Sequence, residues 1–428
     1  MSVKQLKFFL PLTLLFLFLN LNLFSQIRIA SPYSRFGIGD LADNNNAWNM
    51  TMGQTGYAFR SPYHVNYLNP ASYTAFDSMS FVFEGGFNSE FVTLSSNFQR
   101  VNRNYASLGN LLFGMPVTRW WKTSLGLVPF SDVGYNVANY EEYPNSGTVV
   151  RNYVGSGGIN RFYWGNAFRI TKNLSFGINA SYLFGSMIRE ALVLFPDSVN
   201  SMNFQVGYYV TMNDLYFNAG LQYRAKLKND LFLTVGAVFS PTSGMSAKTD
   251  VLAETFLVNS SSGEEIKDTL FMAEALKGKI VVPMMAGGGL ALEKPDQWMV
   301  GLDYRWQNWA NFSAFEMSDS LVNSWQISAG GEIIPKIDNY NNYLARIRYR
   351  LGFSFSKTYL HLRNTDLNEY AISIGFGLPL RGVKTMLNLG AQFGSRGTTQ
   401  QNLIQESYFK FVIGFTIYER WFLKRKYF

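Results

Sequence analysis

The stretch Phe409-Lys410-Phe411-Val412-Ile413-Gly414-Phe415-Thr416-Ile417-Tyr418 alternates with a period of two. Phe409, Phe411, Ile413, Phe415 and Ile417 form one large apolar face. Lys410, Val412, Gly414, Thr416 and Tyr418 form a face that is mostly small or polar. Successive side chains of a strand point to opposite sides, so this reads as one strand with two unlike faces. A sheet in water buries its apolar face against a second layer. Here the pattern recurs at intervals of roughly 20 to 30 residues, and the chain closes on an aromatic, Phe428. Such repetition predicts an all-β transmembrane antiparallel β-barrel, with lipid outside and a polar lumen inside.

Working back from that strand, the alternation predicts fourteen strands. They lie near 79–95, 106–117, 121–136, 158–170, 174–190, 203–227, 231–245, 280–293, 297–312, 324–335, 343–357, 369–380, 384–396 and 406–419. The connections at 118–121, 171–173, 228–230, 294–296 and 381–383 are short. Those at 137–157, 246–279, 313–323, 358–368 and 397–405 are longer, and the Asn-rich turn at 336–342 is intermediate. Short periplasmic turns and long extracellular loops are the rule in outer-membrane barrels, which predicts both termini on the periplasmic side. Trp120, Trp121, Trp298, Trp421 and Phe422 fall near the short turns, where an interfacial aromatic girdle belongs.

Composition agrees with a membrane barrel. Charged residues make up 15% of the 428, and the chain holds 37 Phe, 25 Tyr, 37 Gly and no Cys. Soluble domains carry about 25% charged residues. Without Cys there are no disulfides and no thiolate metal sites. One stretch is long and continuously apolar, Phe8 to Phe24 behind Lys4 and Lys7, as in a secretory signal. Residues 1–25 are therefore expected to be a signal peptide, cleaved between Ser25 and Gln26. Loss of Lys4 and Lys7 lowers the formal charge from +8 to +6. That modest basic excess suits an anionic surface such as lipopolysaccharide, or an anionic solute, and no motif suits nucleic acid. Residues 26–77 do not alternate. They are rich in Asn, Gly and Ser but carry too many aromatics for a disordered tail, so they are expected to form a lumenal plug ahead of a 78–428 barrel.

Parity places charges inside. Arg346, Arg348 and Arg350 alternate with apolar residues and are expected to face the lumen, with Glu332 close to Arg346 across the 339 hairpin. A charge facing lipid near the midplane costs about 2–4 kcal/mol. The same parity turns Glu84, Arg224, Asp303 and Arg305 inward. Two readings follow: a basic ladder for an anionic head group, or a pairing network that holds the plug. In the plug, Arg35 and Arg60 are expected to pair with inward acids, and Asn69-Pro70-Ala71 to turn the chain into the first strand.

Catalysis and cofactors are not expected. There are two histidines, His64 in the plug region and His361 in a long loop, where Ser356 or Asn364 is the available partner. The Asn/Asp stretches at 43–46 and 338–342 read as turns rather than calcium sites. Lys424-Arg425-Lys426 reads as an interfacial basic collar.

Several short motifs carry a resemblance. Gly53 to Gly56 precedes Asn69-Pro70-Ala71. Gly155-Ser156-Gly157-Gly158 precedes Trp164-Gly165-Asn166-Ala167. Pro283 and Gly287-Gly288-Gly289-Leu290 precede Trp298 and Asp303-Tyr304-Arg305-Trp306, and Gly375-Phe376-Gly377-Leu378-Pro379 lies further on. In these the chain resembles the FadL/TodX family of outer-membrane transporters of long-chain fatty acids and aromatic hydrocarbons. The resemblance implies a fourteen-stranded barrel with an N-terminal hatch, and passive transport of a hydrophobic or amphipathic small molecule such as a fatty acid. The opening Ser31 to Asp40 departs from the family's usual one. Some relatives of that superfamily do not transport and instead serve in secretion and assembly machines. The alternative expectation is therefore a non-transporting interaction or scaffold subunit that contacts other outer-membrane proteins.

Overall fold

The computed structural model describes residues 30–42, 46–144, 147–197, 201–259, 263–339, 341–380 and 385–420. The expected signal peptide, Trp421, Phe422 and the basic collar lie outside them. Strand β1 runs Ser80–Ser95, β2 Arg100–Pro116, β3 Trp121–Tyr143, β4 Gly147–Arg169, β5 Leu174–Leu194 and β6 Asn203–Lys226. β7 runs as Phe232–Ser240 and Ser243–Asn259, and β8 as Gly263–Val282 and Met285–Lys294. β9 is Trp298–Gln307, β10 Ser324–Ile333, β11 Arg348–Leu362, β12 Thr365–Pro379, β13 Met386–Arg396 and β14 Gln405–Arg420. β7 breaks at Pro241 and β8 at Pro283, because proline offers no N–H to a ladder.

All neighbours are antiparallel, and β14 returns to β1 from Gln405↔Ser95 to Arg420↔Ser80, closing a fourteen-stranded barrel. Closure leaves no outer edge around most of the circumference. Along β9, Val300, Leu302 and Tyr304 are exposed while Asp303 and Gln307 are buried, as the period-two reading requires. The apolar face meets lipid, and this is a transmembrane barrel.

Two features differ from the expectation. The stretches 137–157, 246–279 and 358–368 are largely strand, not loop, with β11 and β12 paired as far as Leu362↔Thr365. β3 and β4 stay paired to Tyr143↔Gly147, and β7 and β8 to Asn259↔Gly263. Two antiparallel segments beyond the membrane satisfy each other's backbone groups, so pairing continues without a lipid-facing pattern to announce it. Secondly, the strand expected at 343–357 begins only at Arg348, and Leu344–Arg346 is a turn of 3-10 helix.

The wall also splits. β2 pairs with β1 from Arg100 to Gly114 but with β3 only over Leu111–Pro116, opposite Leu127–Lys122. Beyond Leu111 and Leu127 the two strands part. The edge of β3 is taken by the short strand Asp40–Leu41, at Asp40↔Asp132 and Leu41↔Ser131.

Candidate functional site

Residues 30–42 and 46–77 pack against inward-facing residues of the barrel through three sets of contacts. In the long-loop half, Ser31 Oγ donates to Glu406 at 2.7 Å, and Arg396 reaches Asp40 and Ser31, each at 2.7 Å. The Tyr33 hydroxyl donates to the Ile404 carbonyl at 2.6 Å, and burial pushes that phenol up to about 12. Ile38 and Tyr33 pack into an apolar layer with Val133, Leu183, Met245 and Trp309 of the barrel.

At mid-height Asn46 caps a single helical turn, Ala47–Met50. Its side-chain amide donates to Glu84 at 2.8 Å. His64 stacks on Trp48, with ring centroids 4.9 Å apart, and its Nδ1 lies 2.6 Å from Glu84. The Gly56 and Tyr57 amides both donate to Asp303, at 2.6 and 2.8 Å. Nearer the short turns, Asn69 caps the 3-10 helix Pro70–Ala75 and donates to the Tyr57 carbonyl at 2.7 Å. Tyr73 donates to Asn179 at 3.0 Å, and Arg60 donates to Gln222 at 2.9 Å and to Thr74 at 2.7 Å.

Glycines of the wall let the two backbones touch. A Cβ at Gly177 would overlap Pro70, one at Gly236 would overlap Tyr57, and ones at Gly330 and Gly352 would overlap Met52 and Gly53. All four sit on inward-facing positions, where only a hydrogen atom leaves room.

The charged residues read from the sequence divide into groups. Arg348 and Arg350 both donate to Glu332, each at 2.7 Å, and Arg350 also reaches Asn388 at 2.8 Å. Arg346 lies on the 3-10 turn and not opposite Glu332, whose strand partner is Arg350. The hairpin at 334–347 is longer than two ideal strands would make it, which shifts the register. Arg224 pairs with Glu293 and lies over Phe232. Arg305 lines an interior cavity. Among the described residues, Arg35 does not pair with an inward acid. It is exposed and stacks on Phe36 and Tyr153, with its guanidinium 5.2 and 5.6 Å from the ring centres. Arg60 meets neutral acceptors rather than a carboxylate. Asn69, Pro70 and Ala71 begin a helix deep in the interior, and β1 starts only at Ser80. His361 meets Asp366 at 2.7 Å rather than Ser356 or Asn364. Among the described residues, no group of three or more acids and histidines is placed to hold a metal.

Sequence reading missed the Asp40–Arg396–Glu406 network. The signal was present, since Arg396 shares parity with Asn388, Gln392 and Gly394. Next to this network lies a cavity of about 190 Å³, lined by Asp40, Glu90, Asp132, Arg396, Glu406 and Lys410 among others. It is a polar space. It reaches the split in the wall, since Tyr105 and Ser107 of β2 line it together with Asp132 of β3.

Burial holds the His64 imidazole below its ordinary pKa, although Glu84 beside it works the other way. The folded protein thus keeps His64 neutral, while the unfolded chain protonates it near pH ~6.5. Stability from this site is present above that pH and is lost as the pH falls below it. Thermal unfolding in detergent is expected to start at a lower temperature at pH 5 than at pH 7.5. His64→Gln should shrink that difference. An equal difference in wild type and variant would show that His64 is not the group responsible.

The fold is that of hydrocarbon channels. A Pseudomonas aeruginosa FadL homologue superposes with a TM-score of 0.59 at 10% identity, over 88% of this chain and 98% of that one. The Ralstonia pickettii toluene transporter TbuX gives 0.57 at 13% identity, over 88% and 98%. The Pseudomonas putida toluene transporter TodX gives 0.57 at 16% identity, over 90% and 100%. At such identities the likeness concerns architecture. No curated protein matches the sequence. A family model, described as BamG, does match it, and because that match runs from residue 4 to residue 428 the chain belongs to the BamG family.

Proposed function

We propose that this chain is a non-transporting interaction subunit of an outer-membrane assembly or secretion machine. In this reading residues 26–77 are a permanent plug, both termini are periplasmic, and the barrel serves as a membrane-embedded scaffold. The filled interior carries the proposal. A carrier of hydrophobic molecules needs an apolar path, yet the apolar layer around Ile38 is closed by side chains. The cavity beside it is about 190 Å³, and charged side chains such as Asp40, Glu90, Arg396 and Glu406 line it. Ligand pockets are usually about 300–1,000 Å³ and mostly apolar. The arginines of β11 are taken up by Glu332 and Asn388, which supports pairing over capture of an anionic head group.

One observation favours a second reading, passive passage of hydrophobic or amphipathic molecules such as fatty acids. The wall is split beside β2, which offers a lateral exit to the bilayer in a fold shared with hydrocarbon channels. Uptake of a fluorescent long-chain fatty acid by whole cells separates the two. The interaction reading expects no uptake above empty-vector cells, from the intact protein or from a form lacking 31–66, while the intact protein co-purifies with other outer-membrane proteins. Uptake by the intact form would overturn it.

A further inference from the structure

We propose that the free edge of β2, Arg100 to Asn110, is a docking site for an extended strand supplied by another outer-membrane chain. The proposal rests on the interaction reading and names where the partner binds.

The two sides of the split are treated differently. On the β3 side, the Asp40–Leu41 strand adds antiparallel to Ser131 and Asp132. Beside it, Ser31 N donates to the Gly134 carbonyl at 2.9 Å and Ala42 N to the Phe130 carbonyl at 3.0 Å. On the β2 side, residues 100–110 have β1 as their strand partner on one edge and, among the described residues, none on the other. The chain has completed one edge of the split by strand addition and left the opposite edge open.

The half of that edge from Ala106 to Asn110 lies at membrane depth, while Arg100, Asn102 and Asn104 carry it into the polar zone beyond. Leu108 is exposed and its partner on β1, Phe87, is 58% exposed, while Phe91 stacks on Phe409 with centroids 6.2 Å apart. Hydrocarbon tails offer no donors or acceptors, so each unsatisfied backbone group there is strongly disfavoured. An added strand satisfies the whole row, whereas an acyl chain satisfies none of it. Ala106 and Ser107, at the middle of the edge, are small enough for a strand to approach at the usual ~4.8 Å spacing. The space behind the edge is polar, bounded by Glu90, Asp132 and Lys410. The occupant is thus an alternating segment of about six residues, apolar toward lipid and polar toward the interior. Charge sets its orientation. Arg100 and Arg103 are exposed at the long-loop end of the edge and carry no ion pair among the described residues. The partner segment should carry acidic residues at that end.

The test uses the full chain in intact outer membranes. Benzoylphenylalanine replaces Asn104, Ala106 or Leu108, and for comparison Tyr370, an exposed residue on β12. Irradiation is expected to give one discrete protein adduct from the three β2 positions and none from Tyr370. The crosslinked residues of the partner should step by two as the probe steps by two. Ala106→Pro and Ser107→Pro add a second measurement. Adjacent N–H groups in an antiparallel ladder point to opposite sides, so one proline breaks the β1–β2 ladder and the other breaks only the open edge. The edge-breaking variant should keep the heat-modifiable folded band and lose at least tenfold in adduct. Low-mass lipid adducts alone, adducts without the two-residue step, or adducts that survive both prolines would overturn the proposal. A co-purifying partner with no adduct at β2 would overturn the docking site and leave the interaction reading standing. If no partner co-purifies either, both fall.

Discussion

Gly352→Val is expected to unseat the interior segment and lower barrel stability by about 3 kcal/mol, the upper part of the usual range for overpacking. Gly352 faces inward on β11, and a Cβ there would run into the backbone of Met52 and Gly53. Those atoms cannot swing aside as a side chain would. Gly53 is itself held at φ +68°, with its own Cβ position against the backbone of Phe353 and Ala329. The two chains are locked glycine to glycine, and neither can retreat without losing the neighbouring contact of Met52 with Gly330. Residues 46–77 should become accessible to protease in detergent, and the folded band should be lost at a lower temperature. Gly288→Ala is the matched control, because the nearest atom its Cβ would meet, the Gly236 carbonyl oxygen, is 3.8 Å away. If Gly352→Val melts with wild type, the close seat is not a source of stability.

Glu332→Gln should cost about 3–5 kcal/mol, measured by urea unfolding in lipid vesicles. Its carboxylate accepts from both Arg348 and Arg350, and the Arg350 side chain is 0% exposed. Neutralising Glu332 leaves that guanidinium buried without its counter-charge. The loss comes from the stranded partner more than from the bond, so removing the charges together should be milder. Glu332→Leu combined with Arg348→Leu and Arg350→Met is expected to recover most of the deficit. A triple variant as unstable as Glu332→Gln would mean that the network holds the segment by specific hydrogen bonds and not merely by charge balance.

The antiparallel barrel and the count of fourteen were legible in the sequence. A lipid-facing strand must alternate, and one slipped residue would put every large side chain in the lumen. That is why Phe409 to Tyr418 suffices to start the reading, and why parity turns Arg348, Arg350, Glu332 and Asp303 away from lipid. What parity cannot carry is register between strands joined by an irregular turn. Glu332 therefore met Arg350 and not Arg346, because the turn of 3-10 helix at Leu344–Arg346 absorbs residues that a plain hairpin would have paired. Pairing beyond the bilayer was equally hidden, since water imposes no alternation on residues 137–157. The packing of residues 30–42 and 46–77 against the barrel depends on contacts hundreds of positions apart, such as Ser31 with Glu406 and Gly56 with Asp303. No local pattern encodes those. The open edge of β2 belongs to the same class. Arg100 to Tyr105 shows no apolar alternation, so the sequence starts this strand only near Ala106, and only the divergence of β3 leaves the edge at 100–110 unpaired.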